Sequence, residues 1–210
     1  MTQSAPPGRR ERKKLATRAA VSAAALRLAV RHGVEHVTVE QIAAESDIAL
    51  RTFFNHFPGK EDAILAASAA AADALVAGFR TRPPAESVFG ALREAVLAVM
   101  DGTGAAGRDH LAALRLIRTA PSLVPHQLAV LARQETALAS AIADRLDGGA
   151  AVSPVYPALC AAAALSALRV TLDRWLDATA DAEPSTDVLR ADLDTALAEL
   201  AAGLDRPGGA

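Results

Sequence analysis

Apolar side chains recur along this chain at the three- and four-residue intervals of a helix, and no run of alternating β-branched residues competes with that pattern. It predicts an all-α fold of about nine helices. The first, over residues 15–32, carries a stripe of Leu15, Val21 or Ala25, Leu26, Leu28 and Ala29, with Gly33 as its left-handed cap. Two short helices follow over 38–46 and 49–57. Ile42 and Ala43 supply the apolar stripe of one, and Ile48, Phe53 and Phe57 the near face of the other. A long helix over 60–80 runs until Pro83-Pro84 stops it. Helices over 86–101, 108–119, from Ser122 or Pro125 to 146, 153–178 and 186–204 complete the set.

The densest local signals lie between Thr38 and Lys60. Thr38 followed three residues later by Gln41 is a capping box, and Val37 with Ile42 can close a hydrophobic staple around it. Asp47 sits at the bend, one of the few non-glycine types that tolerates a left-handed backbone. With Phe53 and Phe57 packed inward, Leu50, Arg51, Thr52, Phe54, Asn55 and His56 are left outward. Such a face offers donors, a guanidinium and a ring, the groups that groove reading and phosphate contact require. Pro58-Gly59 ends this helix, and Glu61 and Asp62 then fall in a first turn, where the helix dipole favours carboxylates.

The run RTFFNHFPGKEDAIL, preceded by TVEQIAAESDIAL, resembles the DNA-binding domain of TetR-type transcriptional regulators over about residues 12–65. The resemblance implies that Thr38, Thr52, Phe54, His56 and Lys60 sit near phosphates and that Leu50, Arg51 and Asn55 face bases. Three positions depart from the family pattern: Asp47 replaces the turn glycine, Ala49 the cap serine and Phe54 a tyrosine. The last two changes each remove a hydroxyl that could hold a phosphate, which implies fewer backbone contacts than in the family at large.

Charge divides the chain in the same place. Residues 1–60 hold ten Lys or Arg against five Asp or Glu, and the remainder holds twelve against nineteen. A basic head on an acidic body fits a head that meets a polyanion. Residues 1–14 are expected to be a flexible basic arm, with Arg9, Arg10, Arg12, Lys13 and Lys14 either solvated or touching phosphate. The one cysteine, Cys160, excludes an internal disulfide, and no Cys or His pair has metal-ligand spacing. No nucleophile–base set or carboxylate pair stands out, so no catalytic residue, metal or cofactor is expected. GTGAAG at 102–107 has no preceding strand and no Gly-Lys-Ser/Thr, and is read as a break rather than a nucleotide loop. With no signal peptide and no apolar run long enough to span a bilayer, a soluble cytoplasmic protein is expected.

The last two helices are the most apolar, and Leu165, Leu168, Leu172, Leu193, Leu197 and Leu200 are expected to form a seam with a second copy. The TetR resemblance implies the same seam. The polar candidates in the body are His110, Arg115, Arg118, His126, Arg133, Tyr156, Cys160, Arg169 and Trp175. Arg115 and Arg118, three apart on one helix face, could hold a carboxylate or phosphate, and His126 and Trp175 join them as expected ligand contacts. The segment LRLIRTAPSLVPHQL and the helix with Leu172, Trp175 and Leu176 are similar to the bodies of mycofactocin-system TetR regulators. That similarity implies an acyl or acyl-CoA-like effector.

The expected organisation is therefore a basic arm over 1–14, a helix-turn-helix domain over 15–60, a ligand-binding and dimerisation domain over 61–205 and a tail over 206–210. The expected function is a homodimeric repressor of a palindromic duplex operator, released by a small apolar or amphipathic effector, with no membrane partner. The alternative is a constitutive DNA-binding or activator protein whose body only dimerises.

Overall fold

A computed structural model of the protein describes residues 8–101, 105–146, 153–178 and 186–203. Among these residues there are ten α-helices and no strand. In chain order they are α1 (Arg9–His32), α2 (Val39–Glu45), α3 (Leu50–Phe54), α4 (Lys60–Ile64) and α5 (Ala66–Thr81), then α6 (Val88–Asp101), α7 (Ala105–Thr119), α8 (Val124–Leu146), α9 (Tyr156–Ala178) and α10 (Thr186–Ala202). Short 3-10 turns at Val34–His36 and Pro121–Leu123 precede α2 and α8. The all-α expectation holds.

Most of the expected bounds fall within a few residues of those observed, and two differ for clear physical reasons. The expected 60–80 helix is two, because Leu65 takes a turn conformation (φ −85°, ψ −1°) between α4 and α5. Helix α1 starts at Arg9, so the basic residues expected in a flexible arm are helical, and Arg12 N–H donates to Gly8 O at 3.0 Å. Arg, Lys and Ala are good helix formers, which lets α1 extend past its packed portion. Leu15 is 56% exposed, so the buried stripe begins at Val21. Of the expected 102–107 break, residues 102–104 lie outside the described set and 105–107 open α7.

The chain forms two compact units, Met1–Ala70 with Arg108–Leu128, and Ala71–Gly107 with Ala129–Ala210. The first unit is larger than the expected 15–60 head. Its core joins Val21, Ala25, Leu26, Ala29, Ile42, Phe53 and Phe57 to Ile64 and Leu65, and also to Ala113, Ala120 and Leu123. The segment from α7 through the Pro121–Leu123 turn completes the cover of this core. Ser122 Oγ adds a hydrogen bond to Glu35 Oε1 at 2.6 Å.

The second unit is an aliphatic bundle in which α10 packs on α9 and α6. Its core includes Leu75, Phe79, Leu92, Val96, Leu138, Ile142, Ala161, Leu193 and Leu197. Polar contacts edge that core. Arg93 grips Asp194 through Nε–Oδ1 at 2.5 Å and Nη2–Oδ2 at 2.8 Å, tying α6 to α10. Arg145 donates to the carbonyls of Arg82, Pro83 and Glu86, closing the α5–α6 connection. No described helix is long and apolar enough to cross a membrane.

Candidate nucleic-acid interface

The candidate face is built from α2, the bend after it, and α3. Thr38 caps α2 with both halves of the capping box: its Oγ1 accepts from Gln41 N–H at 3.3 Å, and its own N–H donates to Gln41 Oε1 at 2.9 Å. Asp47 takes the expected left-handed conformation at φ 51°, and its N–H donates to Ala44 O at 3.1 Å. Ile48 N–H bonds back to Ala43 O at 3.0 Å, so the turn is closed by backbone bonds before α3 starts. Gly33 also has positive φ, 84° with ψ 147°, a region that residues with a Cβ avoid.

α3 is shorter than expected, five residues instead of nine, but Phe57 N–H still bonds to Phe53 O at 2.9 Å and carries the helical path onward. Phe53 and Phe57 are buried at 0% and 1%, and these two anchors fix which side of α3 faces outward. Leu50, Arg51, Phe54 and Asn55 are exposed, whereas Thr52 and His56 are half-buried. The six residues expected to face outward thus divide into four exposed and two half-buried. Sequence reasoning missed Arg18. Its guanidinium lies 4.2 Å from the Phe57 ring centroid and donates to His56 O at 2.5 Å, pinning the end of the α3 segment to α1. The readable signal was a cation one turn before the α1 core stripe.

Two expected phosphate contacts are placed differently. Lys60 is half-buried, and its Nζ donates to Val34 O and Val37 O, each at 2.9 Å. Two of its three N–H groups are thus used to brace the loop before α2. Thr38 is exposed, but its hydroxyl serves the cap, and the Glu40 carboxyl is held below the usual range first by its own backbone N–H and then by Thr38. His56 Nδ1 is buried without a hydrogen-bond partner among the described residues.

The expected ligand contacts do not share a unit. Arg115, Arg118 and His126 belong to the first and Trp175 to the second. Arg115 and Arg118 are exposed, His126 is half-buried, and Trp175 is buried at 1%. The side chain of His110 lies outside the described residues. The second unit does hold an apolar cavity of about 10 Å³, lined by Leu75, Leu92, Val96, Leu138, Ala164, Leu165, Leu168, Leu193 and Leu197.

Burial within the chain's own core divides the expected seam residues. Leu193 and Leu197 are buried at 0% and 5% in their own unit's core, and Leu165, Leu168 and Leu200 pack against it. Leu172 is half-buried. Periodicity shows that a face is apolar but not which surface covers it. The large apolar residues left exposed on α9 are Tyr156, Leu159 and Val170, with Val155 just before it.

Comparison with known proteins shows the family and the fold. A family model described as bacterial regulatory proteins, tetR family, matches residues 21–67, and one described as MftR C-terminal domain matches residues 86–205. The chain is 35% identical over 216 residues to the HTH-type transcriptional regulator TcmR of Streptomyces glaucescens, covering 99% of this chain and 95% of that protein. Among solved structures, it is similar to a protein of Syntrophomonas wolfei described as a TetR-family transcriptional regulator (TM-score 0.67, 17% identity, 90% of this chain and 97% of that one covered). It is also similar to the fatty acid degradation regulator FadR of Bacillus halodurans (TM-score 0.61, 18% identity, 91% and 97% covered). At such identities the structural likeness shows the fold alone.

Proposed function

Because the chain belongs to the TetR family of bacterial transcriptional regulators, we propose that it is a homodimeric operator-binding repressor released from DNA by an apolar or amphipathic small molecule. The observation that carries the reading is the α3 surface: Leu50, Arg51, Phe54 and Asn55 exposed over buried Phe53 and Phe57. Arg51 and Asn55 take the base-reading roles, with Thr52 and the edge of His56 toward the phosphates.

The reading calls for a second copy, because a two-fold protein would place two α3 helices in successive major grooves, about 34–36 Å apart, on a palindromic operator. Leu159 and Val170 lie eleven residues apart, three turns of one helix face, with Ala163 and Ser166 between them. Two exposed apolar knobs separated by small residues suit close packing of α9 against its symmetry mate.

The cavity in the second unit is walled by aliphatic side chains, which fits an acyl chain better than a charged ligand. The resemblance of the body to mycofactocin-system TetR regulators, which implies an acyl or acyl-CoA-like effector, supports the same choice. At about 10 Å³ the cavity has room for at most about one water. That size favours a second reading, in which the body only dimerises and DNA binding is constitutive.

The experiment is genome-wide footprinting of the full-length protein, followed by binding of the recovered operator by wild type and Arg51→Ala. Arg51→Ala is expected to lower preference for the operator over unrelated duplex by about ten- to one-hundred-fold. Unchanged preference would remove α3 as the reading element. Saturated acyl chains of increasing length then separate the two effector readings. A ligand releases DNA only by favouring the arrangement that cannot bind it, so no release by any chain would leave the constitutive reading.

A further inference from the structure

Two residues on α3 are exposed without a polar role. Leu50 and Phe54 keep 41% and 53% of their surface open. They lie four residues apart on α3, so they stand on one ridge, while Arg51 and Asn55 form the adjacent ridge. A phenyl ring has neither donor nor acceptor, so Phe54 cannot hold a phosphate oxygen as a tyrosine hydroxyl would. Its ring is nonetheless fixed in direction. It meets the buried Phe53 ring edge-on, with centroids 5.5 Å apart and planes at 88°.

A major groove displays hydrogen-bonding groups on every base pair, but only thymine adds an apolar one, the C5 methyl. We propose that Leu50 and Phe54 form a thymine-methyl reader, and that each operator half-site sets thymine methyls beside the bases met by Arg51 and Asn55. Arg51 suits the O6 and N7 of guanine, and Asn55 the N6 and N7 of adenine. The two ridges are offset by one residue, so the methyls belong to base pairs neighbouring those two. This inference rests on α3 entering the groove, and it assigns Phe54 to a base edge instead of the phosphate that family resemblance implies.

The test uses the full-length protein and its footprinted operator. Each thymine of a half-site is replaced in turn by deoxyuridine, which removes the methyl and leaves every hydrogen-bonding group in place. Wild type is expected to lose about four-fold in affinity at one or two positions, the worth of burying one methyl. At those positions Leu50→Ala or Phe54→Ala should show no additional loss. Because both side chains are exposed, the variants should keep the wild-type unfolding midpoint, which is measured alongside. Equal binding of every deoxyuridine duplex by wild type would overturn the proposal, as would losses that persist undiminished in both variants. Failure of the underlying reading looks different: operator affinity would then be unchanged in Arg51→Ala and Asn55→Ala.

Discussion

The two units are both helical, yet each is specified by different means. The first turns on local devices: a capping box, a left-handed aspartate, a positive-φ glycine and two aromatic anchors within a twenty-five-residue stretch. The second turns on aliphatic burial, spread over helices distant in sequence and edged by Arg93–Asp194 and Arg145. DNA reading needs side chains held to a fraction of an ångström. Short elements closed by backbone bonds hold them so, whereas a bundle of Leu, Val and Ala can repack around an apolar guest.

The largest effects test whether the anchors are what they seem. Phe53→Ala empties the centre of the first unit and is expected to cost about 3–5 kcal/mol, read as a lower urea midpoint together with lost operator binding. Leu193→Ala should cost about 2–5 kcal/mol in the second unit while leaving the proposed self-association as in wild type, because that side chain is spent inside its own chain. A dimer weakened by Leu193→Ala but stable as a monomer would return Leu193 to the seam.

Next in size is Lys60→Ala. It removes the donor shared by the Val34 and Val37 carbonyls and is expected to cost about 1–3 kcal/mol of stability. The slope of log affinity against log salt should stay as in wild type. A slope smaller by about 0.9 would mean that Lys60 neutralises a phosphate after all. Thr38→Ala should cost about 1 kcal/mol through loss of the cap, with Thr38→Ser close to wild type in the same denaturation.

These variants mark where sequence reading succeeded and where it ran out. Thr38 and Gln41, Asp47, Gly33 and Phe53 were legible because each signal acts within a few residues of itself, and the structure returns those bonds and dihedrals. The helices of the body were legible as elements, α9 and α10 nearly to their ends. The partners of their apolar faces were not, since a leucine stripe reads the same whether its own chain or a second copy covers it. Nor could sequence show that Lys60 reaches back across twenty-odd residues to two carbonyls, or that Arg18 stacks on Phe57. The break at Leu65 has no proline or glycine beside it to announce it.

The smallest expected effect separates the units by pH. In the second, the Asp194 carboxyl is held below its ordinary range, first by the Arg93 hydrogen bonds and then by the nearby positive charge of Arg93 and Arg190, against the opposing cost of burial. A carboxyl whose pKa is lower folded than unfolded contributes stability that is fully present above the unfolded value, about 3.9. That contribution fades as pH falls through the folded value. With the Arg93 and Asp194 side chains 40% and 41% exposed, solvent screening limits it to about 0.2–1 kcal/mol. Asp194→Asn should therefore be less stable than wild type near neutrality by that margin, and the two urea midpoints should converge in acid. If the gap instead widened as pH fell, the α6–α10 tie would not be ionic, and the contrast between a locally pinned first unit and an ion-edged second would lose its clearest support.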